Sequence, residues 1–236
     1  MVHSISLRLW GKYALFTDPV TKIGGEKYSY QIPTYEAIKG ILKSIYWKPT
    51  IIWYVKRVRV MKPIRSEAKS VKPLRMNASG DSRHELAIYT YLRDVEYQVD
   101  AYFDWNPFRP ELKQDQNPQK HISMVERALI RGGRQDIYLG TRECQGYVEP
   151  CVFGEGKGEL DKYVELSFGT MFHSFGYPDE TGKNELTTYL WDAVIHNGVI
   201  TYPSQSECKS RVVKKMTPKK FEPGISLKPI EAEEVS

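Results

Sequence analysis

The sequence predicts an α+β fold, a βαββαβ unit followed by a small antiparallel β-sheet unit. Two segments repeat apolar residues at helical spacing. Several others alternate apolar and polar residues or run as extended stretches rich in Tyr and Val, and the chain beyond residue 145 has no helical pattern.

Taken in order, Ser4 to Trp10 alternates, with Ile5, Leu7 and Leu9 on one side, and predicts a half-buried strand. A loop with Asp18-Pro19 and Gly24-Gly25 follows. Thr34 is a helix N-cap, and Tyr35, Ile38, Ile41, Leu42 and Ile45 recur at helical spacing until Lys48-Pro49 stops the helix. Tyr46 and Trp47 are expected on its last turn. Thr50 to Lys62 is a strand whose alternation changes parity near Lys56-Arg57, the mark of a bulge. Residues 63–81 are irregular and basic. Arg83 to Trp105 is extended, with a turn expected at Arg93-Asp94.

The second helix has the clearest signals. Asn117 suits the N-cap and Pro118 the first helical position, Ile122, Val125 and Leu129 form one stripe, and Gly132-Gly133 ends it. Gln135 to Leu139 predicts a strand. The resulting order is the ferredoxin-like one, shared by RNA-recognition (RRM-like) folds. Further strands are expected over Tyr147 to Phe153 and Tyr163 to Phe172, then a hairpin from Leu186 to Tyr202 turning at Asn197-Gly198. The chain therefore divides into a domain over 1–145, a small sheet domain over 146–207 and a tail over 208–236. That tail is basic and then acidic, with at least its end expected to be disordered.

Thirty-four Lys and Arg against twenty-nine Asp and Glu give a formal charge of +5. The distribution is more informative. Residues 56–83 hold nine basic and two acidic side chains, and residues 209–220 hold six basic and no acidic ones. Such fields suit a polyanion, or simply a solvated strand face and a soluble tail. Arg57, Arg59, Lys69, Lys72 and Arg75 are the expected RNA-backbone contacts. The three cysteines have no metal-ligand spacing and suit a reducing cytoplasm, and no signal peptide or 18-residue apolar run appears. No metal or cofactor is implied.

The opening of the second helix is electrostatically unusual. A helix start is positively polarised and favours Asp or Glu, yet Lys120 and His121 stand there. Backbone N–H groups, the dipole and a lysine together make a phosphate site, and His121 flanks the apolar stripe. A surface Lys beside a partly packed His is the alternative. Among the other histidines, His173 is expected to be packed and His196 solvated.

Four runs carry a family resemblance: Trp10-Gly11-Lys12-Tyr13-Ala14-Leu15-Phe16, then Lys27-Tyr28-Ser29-Tyr30, then Pro33 to Leu42, then Tyr138-Leu139-Gly140-Thr141-Arg142-Glu143-Cys144. Together they resemble the CRISPR-associated Cas-five family, in its type I-C (Dvulg, or d variant) branch. The resemblance implies a metal-independent endoribonuclease that cuts precursor CRISPR RNA at the repeat hairpin and leaves a 2′,3′-cyclic phosphate. It further implies a protein that holds the 5′ handle of the mature guide RNA beside other subunits of a type I-C interference complex. Double-stranded DNA is a further candidate partner. The branch's catalytic Tyr and Lys-His pair match Tyr46, Lys120 and His121. In most other branches the family is a non-catalytic RNA-binding subunit, which is the alternative function.

Overall fold

The structure, a computed structural model, describes residues 3–19, 21, 25–73 and 86–217. Its elements are β1 (His3–Ala14), α1 (Tyr35–Ile45), β2 (Ile51–Val60), β3 (Ser66–Val71), β4 (Ala87–Trp105), α2 (Pro118–Ile130), β5 (Ile137–Tyr138), β6 (Gln145–Pro150), β7 (Glu165–Gly176), α3 (Pro178–Thr181), β8 (Glu185–His196), β9 (Val199–Thr201) and β10 (Lys209–Lys215). The fold is α+β. Its strands pair antiparallel in the order β10-β8-β9-β2-β4-β1-β6-β5, with β3 also on β4 and β7 also on β8.

Both long helices form where the caps require. Thr34 Oγ1 accepts from the Ala37 N–H at 3.2 Å, and Asn117 Oδ1 accepts from the Lys120 N–H at 3.2 Å. Ile38, Leu42 and Ile45 of α1 and Val125 and Leu129 of α2 are buried in one core with Leu7, Leu9, Val99 and Phe103 of the sheet. Each such side chain contributes about 1.5–3 kcal/mol on burial. α1 ends at Ile45, two residues short of the Trp47 expected on its last turn. Tyr46 is not on the last turn but just beyond it, extended at φ −156° and ψ 126°, its N–H still bonded to the Leu42 carbonyl.

The bulge in β2 lies where the parity change predicts it, the register against β4 shifting between Val55 and Arg57. The tight turn at Asn197-Gly198 also forms, both residues having positive φ. The turn expected at Arg93-Asp94 does not. β4 runs unbroken through it, and β1 keeps one register on either side (Tyr13 with Arg93, Gly11 with Val95). The left-handed φ of Asp94, 51°, is absorbed within the strand.

The strand expected over 135–139 is cut to Ile137–Tyr138 and pairs with β6 rather than β1. It is β6 that lies against β1, pairing Leu9 with Val148. The chain reverses at Gly140, whose φ is +96° and where a Cβ would lie 2.0 Å from the Leu15 carbonyl oxygen. A side chain there is incompatible with the bond from the Leu15 N–H to the Leu139 carbonyl. The basic stretch after Cys208, expected as tail, begins with β10 on β8. No apolar alternation announces it, because every residue of β10 is exposed.

Candidate active site

Tyr46, Lys120 and His121 converge. α1 delivers Tyr46 at its C-cap, and the opening turn of α2 delivers the other two. The Tyr46 hydroxyl lies 2.8 Å from His121 Nδ1, and His121 Nε2 lies 2.8 Å from the backbone oxygen of Asp115. A carbonyl oxygen only accepts, so Nε2 carries a proton. In the neutral ring Nδ1 is then the acceptor, and the Tyr46 O–H donates to it. If the ring gains a second proton, Nδ1–H donates instead, and the hydroxyl turns its hydrogen to Met124 Sδ, 3.3 Å away.

The imidazole is fully buried, at 0% exposure, among Tyr46, Phe103 and Trp105. Tyr46 is itself 4% exposed, and its carbonyl accepts from Trp53 Nε1 at 2.7 Å. Burial, with the charge of Asp115, raises the phenol above its ordinary value, while the exposed Arg134 pulls it down. Lys120 differs in being partly exposed, with its ammonium on the Asp115 carboxylate.

Asp115 is the residue that sequence reasoning missed. It ends a 3₁₀ turn (Pro110–Asp115) just ahead of α2. Its backbone holds His121, one carboxylate oxygen holds Lys120, and the other accepts from Thr50 Oγ1 at 2.6 Å. The lysine and then the threonine hold its pKa below the ordinary range. An acidic residue two positions before the N-cap is the signal, since a helix start favours one. The predicted supply of free amide donors there is smaller than expected. Pro118 has no N–H, and that of Lys120 belongs to Asn117.

The expected RNA-contact residues do not gather at this site. Along β4, Phe103 faces the helices and the odd-spaced Asp100 faces away. Arg57 donates to Asp100 at 2.7 Å and covers the Phe153 ring, so it lies on that far face. Arg59 requires correction. It is buried at 7% exposure, and its five donors go to both oxygens of Asp161, Gln98 Oε1 and the carbonyls of Glu155 and Gly156. In the sequence its charge is visible but its burial is not. Lys69 sits over the Tyr13 ring towards the opposite end of β4, and Lys72 is exposed. Arg75 lies outside the described residues. His173 is packed as expected, stacked on Tyr35 at 4.3 Å and held down to about 4 by burial. Among the described residues no cluster of His, Cys, Asp or Glu suits a metal ion, and no helix is long and apolar enough to cross a membrane.

Comparison with known proteins assigns the class. The family described as CRISPR-associated protein (Cas_Cas5) matches residues 4–203. A protein of Mannheimia succiniciproducens named CRISPR pre-crRNA endoribonuclease Cas5d is 31% identical over 229 residues, covering 86% of this chain and 96% of that one. A protein of the same name from Thermus thermophilus is 31% identical over 194 residues, covering 78% of each. A crystal structure of a CRISPR-associated protein is 33% identical with a TM-score of 0.71, covering 89% of this chain and 96% of that one. A functionally uncharacterized protein from Streptococcus mutans is 36% identical with a TM-score of 0.69, covering 89% and 97%. The chain belongs to the CRISPR-associated Cas5 family, in its Cas5d branch.

Proposed function

We propose that this protein is a metal-independent endoribonuclease that cuts precursor CRISPR RNA at the repeat hairpin and stays on the 5′ handle of the guide RNA within a type I-C interference complex. The relatives' shared name supports the reaction class. The observation that carries the site assignment is the 2.8 Å bond between the Tyr46 hydroxyl and His121 Nδ1, with the Lys120 ammonium anchored on the residue whose backbone holds the same imidazole.

The RNA 2′-oxygen forms a bond to phosphorus as the 5′-oxygen leaves, giving a cyclic phosphate and a 5′-hydroxyl. One proton leaves the 2′-OH and one, supplied by solvent, reaches the 5′-oxygen. A buried phenol with a raised pKa is a poor free base. Bonded to neutral His121, however, Tyr46 takes the 2′-OH proton while passing its own to Nδ1, and no free phenolate forms. The Asp115 carboxylate, 3.5 Å from Nε2, faces the imidazolium that results. Lys120 moves from Asp115 to the phosphorane oxygens, where a cation aimed at developing charge is most effective. Tyr46 and His121 are covered in this conformation, so RNA binding must uncover the hydroxyl.

One observation favours the second reading, a non-catalytic subunit: both ring nitrogens of His121 are already engaged and the ring is fully buried. Labelled repeat RNA incubated with purified protein and excess chelator separates the two. Discrete cleavage ending in a cyclic phosphate supports the enzyme. Binding without cleavage supports the subunit.

The ferredoxin-like arrangement belongs to the same proposal. It is supported by the order β6-β1-β4-β2, with β6 standing where the fourth strand of that fold lies beside the first. To the same proposal belong a division into two units, its boundary moved from 145/146 to beyond β6 because that strand completes the first unit, the RNA contacts of Arg57, Lys69 and Lys72, and a cytoplasmic location, which three free cysteines suit.

A further inference from the structure

Chain neighbours of the site residues line a concavity of about 360 Å³ that the mechanism above does not use. Its lining is continuous with the active site along the chain. Trp47 follows Tyr46, Pro49 precedes the Thr50 that holds Asp115, and Asn106 follows the Trp105 that packs on His121. The wall is fixed in advance. Asn106 is 6% exposed, takes the Thr50 carbonyl with its N–H at 2.8 Å, and reaches the Pro49 and Asp179 carbonyls through Nδ2 at 3.4 and 3.2 Å. Trp47, by contrast, is 48% exposed, a large aromatic face left open one residue along the chain from Tyr46. The charges on the lining cancel: Lys43 and Arg109 against Asp179 and Glu180, with Lys43 bonded to Glu180 at 2.9 Å.

A neutral, half-apolar hollow with one open indole does not suit a phosphate, which would need net positive charge. It suits the flat, uncharged face of a nucleobase, which stacks on aromatic side chains. We propose that this hollow receives an unstacked base of the RNA next to the scissile phosphate, with Trp47 as its stacking platform. The proposal rests on the ribonuclease reading. Docking one base here adds binding energy next to the scissile linkage, so Trp47 acts by binding substrate.

The test uses repeat RNA carrying 2-aminopurine on either side of the cleavage position, with a 2′-deoxy sugar there to block reaction. Binding to the wild-type protein should quench the probe at one of the two positions, Trp47→Ala should abolish that quenching, and Trp47→Phe should restore much of it. With cleavable RNA, Trp47→Ala should raise KM about tenfold, the loss of one stacked base, and leave kcat within about twofold. The thermal midpoint of each variant reports whether it is folded. Unchanged quenching and KM in folded Trp47→Ala would overturn the inference and leave the hollow for a protein partner. A fall in kcat at constant KM would also overturn it, since Trp47 would then only support Tyr46. A wild-type protein that neither binds nor cuts the RNA brings down the ribonuclease reading itself, whereas normal wild-type cleavage with an indifferent Trp47→Ala brings down this inference alone.

Discussion

Arg59 and Lys120 are both cations set on an aspartate, and their surroundings make them opposites. The Arg59 side chain is 9% exposed and all five of its donors are engaged inside the protein. The Lys120 side chain is 44% exposed on an Asp115 that is itself 27% exposed, beside a buried imidazole and a helix start. The first arrangement ties the 154–161 loop to the sheet, through Asp161 and the carbonyls of Glu155 and Gly156. The second leaves a charge at the surface, which the proposed function hands to the phosphate. A basic residue informs about ligands only when its donors are not already satisfied by the fold.

Substitution should separate the two. Lys120→Ala is expected to lower the single-turnover cleavage rate about a hundredfold or more, as removal of one oxyanion-stabilising donor does. Its melting temperature and its affinity for repeat RNA should change little. A rate within threefold of wild type would place Lys120 outside the reaction. Arg59→Ala should do the reverse, costing about 2–3 kcal/mol of stability, less than a fully buried pair because Asp161 is 31% exposed, and sparing the rate of the folded fraction. Denaturant unfolding alongside cleavage reads both quantities.

The Arg59 region also predicts a pH response. Arg59, through its hydrogen bonds, is the main reason the Asp161 carboxyl lies below its ordinary range. A lowered carboxylate pKa contributes stability that is fully present above the unfolded value of about 3.9. That contribution is lost as pH falls through the folded value. Wild-type protein should lose more stability than Arg59→Ala between pH 5 and about pH 2, and parallel acid titrations of the two would remove this account of the pair. The smallest effect is expected at Lys72, exposed on the surface and proposed to contact RNA backbone. Its substitution by Ala should reduce the salt slope of RNA binding by about 0.7–0.9, one phosphate contact. An unchanged slope places the RNA elsewhere.

The same contrast explains what the sequence could disclose. The caps at Thr34 and Asn117, the β2 bulge and the Asn197-Gly198 turn rest on local chemistry, and each formed where the residues required. Tyr46 and the Lys120-His121 pair were legible through the family resemblance, with the helix start supplying the physical reason for a phosphate there. Arg59 and Asp115 were not, because burial and partnership depend on strands and loops distant in the chain. Arg59 meets Asp161 across 102 residues and Tyr46 meets His121 across 75. The expected boundary at residue 145 cuts β6 from the first unit, because nothing local in its residues shows that it returns to β1.

The claim at the centre is that Tyr46 and His121 form one proton-transfer unit. Single-turnover cleavage of repeat RNA by Tyr46→Phe, His121→Ala and the double variant, with RNA binding measured in parallel, tests it most directly. Each single change should cost about 10²–10⁴ in rate while binding persists, and the double variant should be no slower than the worse single one. Losses that multiply would mean two independent groups, and wild-type cleavage by His121→Ala would contradict the assignment altogether.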